Sequence, residues 1–264
     1  MLTRATFPGR VTAHLDEDLR SAGFLVAFTE RTGGTSEAEF AGLNLGARSG
    51  DDPGRVAQNR RLVCRALGIP GFACGEQVHG AVVASVTAGD AGAGFDDPDG
   101  AVAGADALVT AEPGVAIAVV TADCVPVALV DRVAGRVAAV HAGWRGMAAG
   151  VVTRALERFD EPRRVRAFVG PAVGPDHYEV GEEVAEALST AAGESSIDRS
   201  GLRPRADLRT MAAGILRSGG VRDVEVFDAC TACQPARFYS HRRDGRTGRQ
   251  GLLVARLDGP GSRP

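Results

Sequence analysis

The stretch TADCVPVALVDRVAGRVAAVHAGWRG, residues 121–146, decides how the rest of the chain is organised. Its apolar runs at 125–130 and 136–140 are typical of strands, and the polar turn between them predicts a β-hairpin. Cys124 precedes the first strand and His141 follows the second. The sequence therefore brings a thiol and an imidazole to one end of two neighbouring strands. Side chains at such ends are fixed by the sheet yet stay reachable.

A short loop, AGWRG at 142–146, follows His141, and an Ala- and Gly-rich helix is expected over about 147–159. Two interpretations of the pair stay open at this point. Cys124 and His141 can do chemistry together, or Cys124 is a small buried apolar residue and His141 caps a turn.

Segments of strand and helix character continue on both sides of this stretch. Further strands are predicted at 25–29, 82–86, 105–110, 166–170, 224–227 and 251–257. Further helices are predicted at 53–67, 180–192 and 208–218. On the first of these helices, Asn59, Arg60 and Arg61 are expected to form a solvated polar side.

The mixed order of these elements predicts the fold class. Because strands and helices do not alternate strictly, we expect an α/β (α+β) fold with a mixed sheet. We expect residues 1–258 to form a single domain and residues 259–264 to form a disordered tail.

Composition restricts the classes of partner and compartment. The formal net charge of −3 gives no electrostatic reason to expect nucleic acid as the main partner. The longest apolar run, 115–130, contains Thr121, Asp123 and Pro126, so it predicts two buried strands and no membrane span. The chain begins without an apolar signal segment and has an odd number of cysteines, five, so we expect a cytoplasmic protein.

The strongest group of reactive side chains is His79, Cys124 and His141. Each lies beside a predicted strand, in a short polar motif with a small neighbour. Two imidazoles and one thiolate suit a single zinc ion and leave its fourth position open for water or substrate. A Cys–His nucleophile pair is the rival use of the same residues, and spacing alone does not separate the two.

A second cysteine pair, Cys230 and Cys233, has C-x-x-C spacing. Such a pair can be redox-active or can form half of a zinc site. Because the sequence contains no second C-x-x-C motif, we interpret the two as structural thiols.

Several motifs, spread over nearly the whole chain, resemble a known family. In chain order they are ERTGG at 30–34, LNLGARSGDDP at 43–53, QVHG at 77–80, TADCVPV at 121–127, HAGWRG at 141–146, GPAVGPDHYEVGEEV at 170–184 and FYSHRRDGRTGRQ at 238–250. They resemble the laccase-domain, or polyphenol oxidase, family. Its members are described as purine nucleoside phosphorylases with adenosine deaminase activity, and some bacterial members as peptidoglycan editing factor.

The resemblance implies an activity and a cofactor. It implies a zinc ion held by His79, Cys124 and His141, in a cytoplasmic enzyme that acts on adenosine, inosine and methylthioadenosine. It also implies a layered α/β fold similar to that of a cysteine-hydrolase toxin domain. The partners expected are therefore small molecules, with no nucleic acid and no membrane, and the protein is expected to be a monomer or homodimer. The alternative function is an amidase that removes misincorporated amino acids from peptidoglycan precursors.

Phosphorolysis also requires a site for a phosphate dianion, which arginine binds with a planar fork. Arg48, Arg145 and Arg242 lie in Gly-rich segments and are the candidates. Arg145 is favoured because it follows the proposed ligand His141 by four residues. His177 is a candidate for substrate binding.

Proton transfer during deamination needs a carrier. Asp106 and Asp123, next to predicted strands, are candidates, although aspartates at such positions often cap turns. Tyr178 is a candidate contact for the base or an element of the pocket wall.

The older oxidase name of the family leads to a prediction of absence. A multicopper oxidase holds a mononuclear copper and a three-copper cluster, which require about ten histidines, because imidazole is the main donor for copper. This chain has five, none in an H-x-H pair. We expect copper-loaded protein to show no intense blue absorption and no phenol oxidation. A strong blue band with phenol turnover that survives mutation of the proposed zinc ligands would contradict this.

Overall fold

The structure, a computed structural model, describes residues 1–258, and the predicted tail at 259–264 lies outside them. The strands are β1 (Leu2–Thr6), β2 (Thr12–Asp16), β3 (Phe24–Thr29), β4 (Ala73–Cys74), β5 (Val82–Ser85), β6 (Ala105–Thr110), β7 (Ala116–Thr121), β8 (Val125–Asp131), β9 (Arg136–Ala142), β10 (Val165–Val169), β11 (Ile197–Asp198), β12 (Arg205–Ala206), β13 (Asp223–Val226) and β14 (Gln250–Arg256). The helices are α1 (Glu17–Ser21), α2 (Pro53–Leu67), α3 (Trp144–Ala148), α4 (Val151–Leu156), α5 (Glu182–Ala192), α6 (Leu208–Ser218) and α7 (His241–Asp244).

Two large mixed sheets form the centre of the described part. The first has the strand order β1-β2-β3-β14-β7-β4, and the second has the order β13-β10-β8-β9-β6-β5. Most neighbours are antiparallel, but β4 with β7, β5 with β6, and β10 with β13 are parallel. The predicted mixed α/β fold is therefore confirmed. None of the helices within residues 1–258 is both long and apolar enough to span a bilayer.

The two sheets pack against each other, and helices cover their outer faces. Alternate residues of β14 show this: Leu252 and Val254 join the core between the sheets, whereas Leu253 packs towards α2. In β8, Val130 faces the first sheet and Leu129 faces α4 and α6. Because both faces of these strands are buried, they read as continuous apolar runs in the sequence.

The element predictions around this core hold with one correction. Strands predicted at 125–130 and 136–140 are confirmed as the antiparallel pair β8 and β9. The helix predicted over 147–159 is wrong in its extent: α3 already begins at Trp144, and Gly150, with φ of 82°, separates it from α4. Glycine takes this left-handed conformation readily, and it interrupts the helix.

The expected solvent exposure of the polar side of α2 is confirmed for Arg61 but is wrong for Asn59 and Arg60. Asn59 is 0% exposed and Arg60 is 3% exposed. The Asn59 amide donates to the carbonyls of Gly42 and Asn44. Arg60 donates to three backbone carbonyls, including that of Leu45. These partners lie in loops that are distant in sequence, so both side chains tie α2 to those loops.

A buried carboxylate ties the first sheet to the C-terminal region. Glu30, at the end of β3, is fully buried and accepts from Arg4 Nε at 2.9 Å and Arg237 Nε at 2.8 Å, with His14 Nε2 at 2.9 Å. Burial opposes its charged form, but hydrogen bonds from His14, Arg4 and Arg237 hold the pKa of Glu30 well below its usual range. The carboxylate is therefore charged in the fold across the neutral pH range.

We expect Glu30→Gln to lower the free energy of unfolding by about 1.5–3 kcal/mol at neutral pH, because it removes the charge from the hydrogen bonds that the partly exposed Arg4 and Arg237 make to a buried carboxylate. The folded-state pKa of Glu30 lies below the unfolded value of about 4.3, so this contribution is complete above about pH 4.3 and is lost as the pH falls from there through the folded-state pKa. Urea unfolding at neutral and acidic pH measures both effects. Glu37→Gln, which removes an exposed ion pair with Arg55, is the control and should change little. Equal losses in the two variants would contradict the assigned role of Glu30.

Candidate metal centre and cavity

Three side chains converge where the chain crosses from one sheet to the other. The Cys124 Sγ lies 3.9 Å from His79 Nε2, and the ligand atoms of His79, Cys124 and His141 all lie within 4.8 Å of one another. The two imidazole rings are 4.9 Å apart at their centroids and nearly perpendicular. The structure thus brings together the three residues predicted from the sequence.

The chain path explains this convergence. His79 lies between β4 of the first sheet and β5 of the second, and Cys124 lies between β7 of the first sheet and β8 of the second. His141 occupies the end of β9, next to β8. Two of these segments have positive φ at non-glycine residues, 62° at His79 and 95° at Asp123. Such strain is held by the surrounding structure and occurs often at functional sites.

Asp106 on β6 fixes two of the three residues from behind. Its Oδ1 lies 2.8 Å from His141 Nδ1 and accepts the backbone N–H of His79 at 2.9 Å. Its Oδ2 accepts the N–H of Gly80 at 2.7 Å. With Nδ1–H held by this buried carboxylate, His141 turns Nε2 towards the centre, where a bound metal would displace the Nε2 proton. A carboxylate behind a histidine is typical of metal sites.

Asp123 anchors the turn that presents Cys124. Its Oδ1 accepts from the Thr231 hydroxyl, and its Oδ2 accepts the backbone N–H of Arg242, both at 2.6 Å. The two aspartates considered from the sequence as proton carriers, Asp106 and Asp123, therefore both hold the framework of the centre.

The electrostatics favour a thiolate at Cys124. Burial alone would raise the pKa of Cys124, but attraction to His141 and hydrogen bonds to both imidazoles lower it to about 6. Burial alone would lower the pKa of His141, but Cys124 and Asp106 raise it to about 9. The pair thus carries opposite charges near neutral pH, and the thiolate is the form that binds a metal or attacks a carbonyl.

These three residues lie in the wall of a cavity of about 520 Å³. Its lining also includes Arg48, Glu76, Gln77, Tyr178, Arg242 and Arg249. A cavity of this size suits a small-molecule ligand, and its arginines suit an anion.

The arginines at the cavity differ in how far they are already engaged. The fork of Arg48 contacts the Pro98 carbonyl at 3.0 Å and Asp99 at 3.4 Å. Arg242 lies over the ring of Tyr178, 4.9 Å from its centroid. Arg249 is half-buried, and burial lowers its pKa because it disfavours the charged form. An anion bound beside the guanidinium would stabilise that charge. In the sequence, Arg249 is marked only by its place in the motif FYSHRRDGRTGRQ at 238–250.

Two residues that were predicted to bind phosphate or substrate, Arg145 and His177, are not among the lining residues of the cavity. Arg145 is exposed in α3, and its guanidinium lies over the ring of Trp144, 4.5 Å from the centroid. His177, in the single turn Pro175–His177, lies beside Cys230 and Cys233. Arg48 and Arg242 do line the cavity, and their binding of phosphate stays a prediction.

Gln77 is a further residue that sequence reasoning missed, although QVHG contains it. Its side-chain amide donates to the Val120 carbonyl at 2.8 Å and accepts the Val120 N–H at 2.9 Å. This pair of hydrogen bonds fastens the His79 loop to β7, so the glutamine was signalled only by its place two residues before a candidate ligand.

Replacing Asp106 with asparagine is expected to weaken zinc binding by about 10–100-fold, the usual effect of losing a partner behind a metal ligand. Zinc competition with a chromophoric chelator measures this. Asp131→Asn is the matched control, because Asp131 is also buried and accepts backbone N–H groups of Val133 and Ala134 in a turn. Unchanged zinc affinity in Asp106→Asn, with a fold as stable as that of Asp131→Asn, would show that the carboxylate does not support a metal.

Comparison with known proteins identifies the family of the chain. A sequence profile of the family described as multi-copper polyphenol oxidoreductase laccase matches residues 25–256. Purine nucleoside phosphorylase YlmD of Geobacillus stearothermophilus is 37% identical over 258 residues, which cover 90% of this chain and 92% of that protein. The purine nucleoside phosphorylase of Deinococcus radiodurans is 42% identical over 236 residues, which cover 86% of this chain and 87% of the relative.

Solved structures agree as well. The crystal structure of YlmD superimposes with a TM-score of 0.86 at 36% identity, covering 90% of this chain and 94% of the other. The Bacillus licheniformis hypothetical protein YfiH gives a TM-score of 0.89 at 30% identity, covering 93% and 96%. The chain therefore belongs to the laccase-type polyphenol oxidoreductase family, whose similar curated members are named purine nucleoside phosphorylases.

Proposed function

We propose that this chain is a zinc-dependent purine nucleoside phosphorylase that acts on adenosine, inosine and methylthioadenosine and also deaminates adenosine. One observation carries the proposal: His79, Cys124 and His141 lie in the wall of an arginine-lined cavity large enough for a nucleoside. The names of the relatives support the phosphorylase activity. The zinc rests on the chemistry of the three ligands, and the deaminase and methylthioadenosine activities rest on the family resemblance.

The donor set fits zinc. Two imidazole nitrogens and one thiolate are zinc ligands, and Asp106 orients His141 from behind. Within residues 1–258, the group of potential ligands at the cavity has three members, His79, Cys124 and His141. Because zinc is usually four-coordinate, a fourth position is left for substrate or water. Zinc bound there would supply Lewis-acid polarisation of an oxygen atom.

The protein groups around the centre can position phosphate and nucleoside. Arg242 and Arg249 offer guanidinium groups at the cavity, which can hold the phosphate dianion and shield its charge as it approaches the ribose. Val173, Tyr178 and Leu208 give the same cavity an apolar wall, which suits the face of a purine base. Both substrates can thus be held close together, which removes much of the entropic cost of their reaction.

We place this activity in the cytoplasm. All five cysteines lie within the described part of the chain and are free thiols there. A reducing compartment keeps Cys124 available as a ligand.

Product analysis tests the proposed function. Zinc-loaded protein is incubated with adenosine, with and without inorganic phosphate. We expect adenine and ribose 1-phosphate only with phosphate, and inosine and ammonia in both mixtures. Absence of both reactions, with release of an amino acid from a UDP-muramyl precursor, would replace the proposal with the editing amidase that a Cys124–His141 nucleophile pair can support.

A further inference from the structure

A second group of metal-binding side chains lies apart from the centre at the cavity. His177, Cys230 and Cys233 place one imidazole nitrogen and two thiol sulfurs within 4.8 Å of one another. The described residues contain two groups of three potential ligands with such close donor atoms: the group at the cavity and this one. We propose that these three residues form a second zinc site, with water in the fourth position.

The donor chemistry favours a thiophilic ion. Two thiolates and one imidazole match zinc ligand sets, whereas magnesium and calcium prefer oxygen. Tetrahedral zinc with bonds of about 2.0–2.3 Å places its donors somewhat under 4 Å apart. The three donor atoms, within 4.8 Å, therefore need only small side-chain rotations to close on an ion.

The backbone already holds Cys230 in place. β10 and β13 are parallel neighbours, so the segments that follow them leave the sheet side by side. Cys230 forms an isolated parallel bridge with Ala172, and the N–H of Thr231 donates to the Ala172 carbonyl at 3.0 Å. The N–H of Gly174 donates to the Cys230 Sγ at 3.2 Å. A hydrogen bond from a backbone N–H stabilises a thiolate, and such partners support metal ligands.

Gly174 allows the segment that carries His177 to pack closely against Cys230. A Cβ atom at this position would lie 3.3 Å from both Cβ and Sγ of Cys230, so a larger residue would press on the cysteine. The turn Pro175–His177 begins directly after Gly174 and returns His177 to the cysteine pair. The Gly-Pro sequence thus brings the imidazole to the thiols by local geometry.

The two thiols interact and remain reachable. The sulfur atoms of Cys230 and Cys233 lie within 4.8 Å of each other. Cys233 and His177 are exposed and Cys230 is half-buried, which lets an ion enter and leaves room for water. The neighbouring charges are of both signs: Asp176 and Arg209 both act on Cys233, and Arg209 is paired with Asp228 at 3.3 Å. Binding would displace the thiol protons, as zinc does at other cysteine sites.

The second site connects to the first through hydrogen bonds. Thr231, which follows Cys230, donates its hydroxyl to Asp123 at 2.6 Å, and Asp123 precedes Cys124. An ion at the second site would cross-link the loop after β10 to the Cys230–Cys233 segment after β13, whose Thr231 holds Asp123. Its proposed role is therefore to brace the turn that presents Cys124.

Metal titration of the reduced, metal-free full-length chain tests the proposal with Co²⁺ as the probe. In a Cys124→Ala background the remaining thiols are the buried Cys64 and Cys74 and the pair Cys230 and Cys233, so a band that disappears with the pair belongs to the pair. We expect this background to bind Co²⁺ with a clear charge-transfer band, and Cys124→Ala/Cys230→Ala/Cys233→Ala to lose the band. Wild-type protein should take up two equivalents of Zn²⁺, and Cys230→Ala/Cys233→Ala should take up one.

Two further variants complete the test. His177→Ala should weaken Co²⁺ binding at the second site at least about tenfold, the lower end of losses for a partner that only supports a ligand. Cys64→Ala, which removes a buried thiol from the core beside α2, should keep both equivalents. A Cys124→Ala protein that binds no Co²⁺, or a cobalt band that survives in the triple variant, would overturn the proposal. So would a reduced Cys230/Cys233 pair that binds no metal and forms a disulfide in air.

Discussion

Cys124→Ala is expected to lose one equivalent of zinc and, in step with it, both phosphorolysis and deamination. Cys124 is the anionic member of the three ligands, and its thiolate form is favoured by both histidines. Losing a direct ligand should weaken zinc binding more than the roughly 100-fold that loss of a supporting partner can cause. Elemental analysis after dialysis, together with both activity assays, measures the effect.

Cys74→Ala is the matched control for this result. Cys74 also lines the cavity, but it is buried, and burial raises the pKa of its thiol, so it stays neutral. We expect this variant to keep its zinc and both activities. If Cys124→Ala instead keeps its zinc at full stoichiometry, or keeps both activities without it, Cys124 is not a functional ligand.

Arg249→Ala is expected to lower the kcat/KM for phosphorolysis. The loss should correspond to roughly 2–5 kcal/mol of transition-state stabilisation, the range for a desolvated charge contact. Arg249 is half-buried at the cavity, and its Nη1 donates only to the nearby carbonyls of Thr247 and Gly248. Phosphate-independent deamination should fall much less. Arg249→Lys should restore only part of the activity, because lysine lacks the planar fork.

Arg246→Ala is the control, because Arg246 lies in the same segment but is exposed and pairs with Glu39 at 3.4 Å. Arg145→Ala belongs in the same series, since the sequence predicts that Arg145 binds phosphate. A larger phosphorolysis loss in Arg145→Ala than in Arg249→Ala would place the phosphate at the start of α3. Equal loss of both activities in Arg249→Ala would show that this residue positions the nucleoside.

Local signals in the sequence predict some elements well. The bounds of α2 follow from Pro53 at its start and from Gly68, whose φ of 73° ends it. The helix after His141 was predicted too long because a left-handed Gly150 and a helical Trp144 have no clear local signal. β1 was missed because LTRAT is polar and lies at the edge of the first sheet, where one neighbour suffices.

The site divides in the same way. His79, Cys124 and His141 were recognisable because each is a reactive side chain beside a predicted strand. Three other features depend on which strands become neighbours. They are the burial of Arg60, the place of Arg249 in the cavity wall and the position of His177 beside the cysteine pair. The sheet order is a long-range property, and residue patterns within one segment do not encode it.

The most direct test of the central claim is the formation of ribose 1-phosphate from adenosine by one protein sample, measured before and after zinc is removed and returned. The account predicts that metal-free protein forms none. It also predicts that zinc restores the rate in wild-type protein and in Cys230→Ala/Cys233→Ala, but not in His79→Ala or His141→Ala. Full activity of metal-free protein, or restoration by zinc in the two histidine variants, would contradict it.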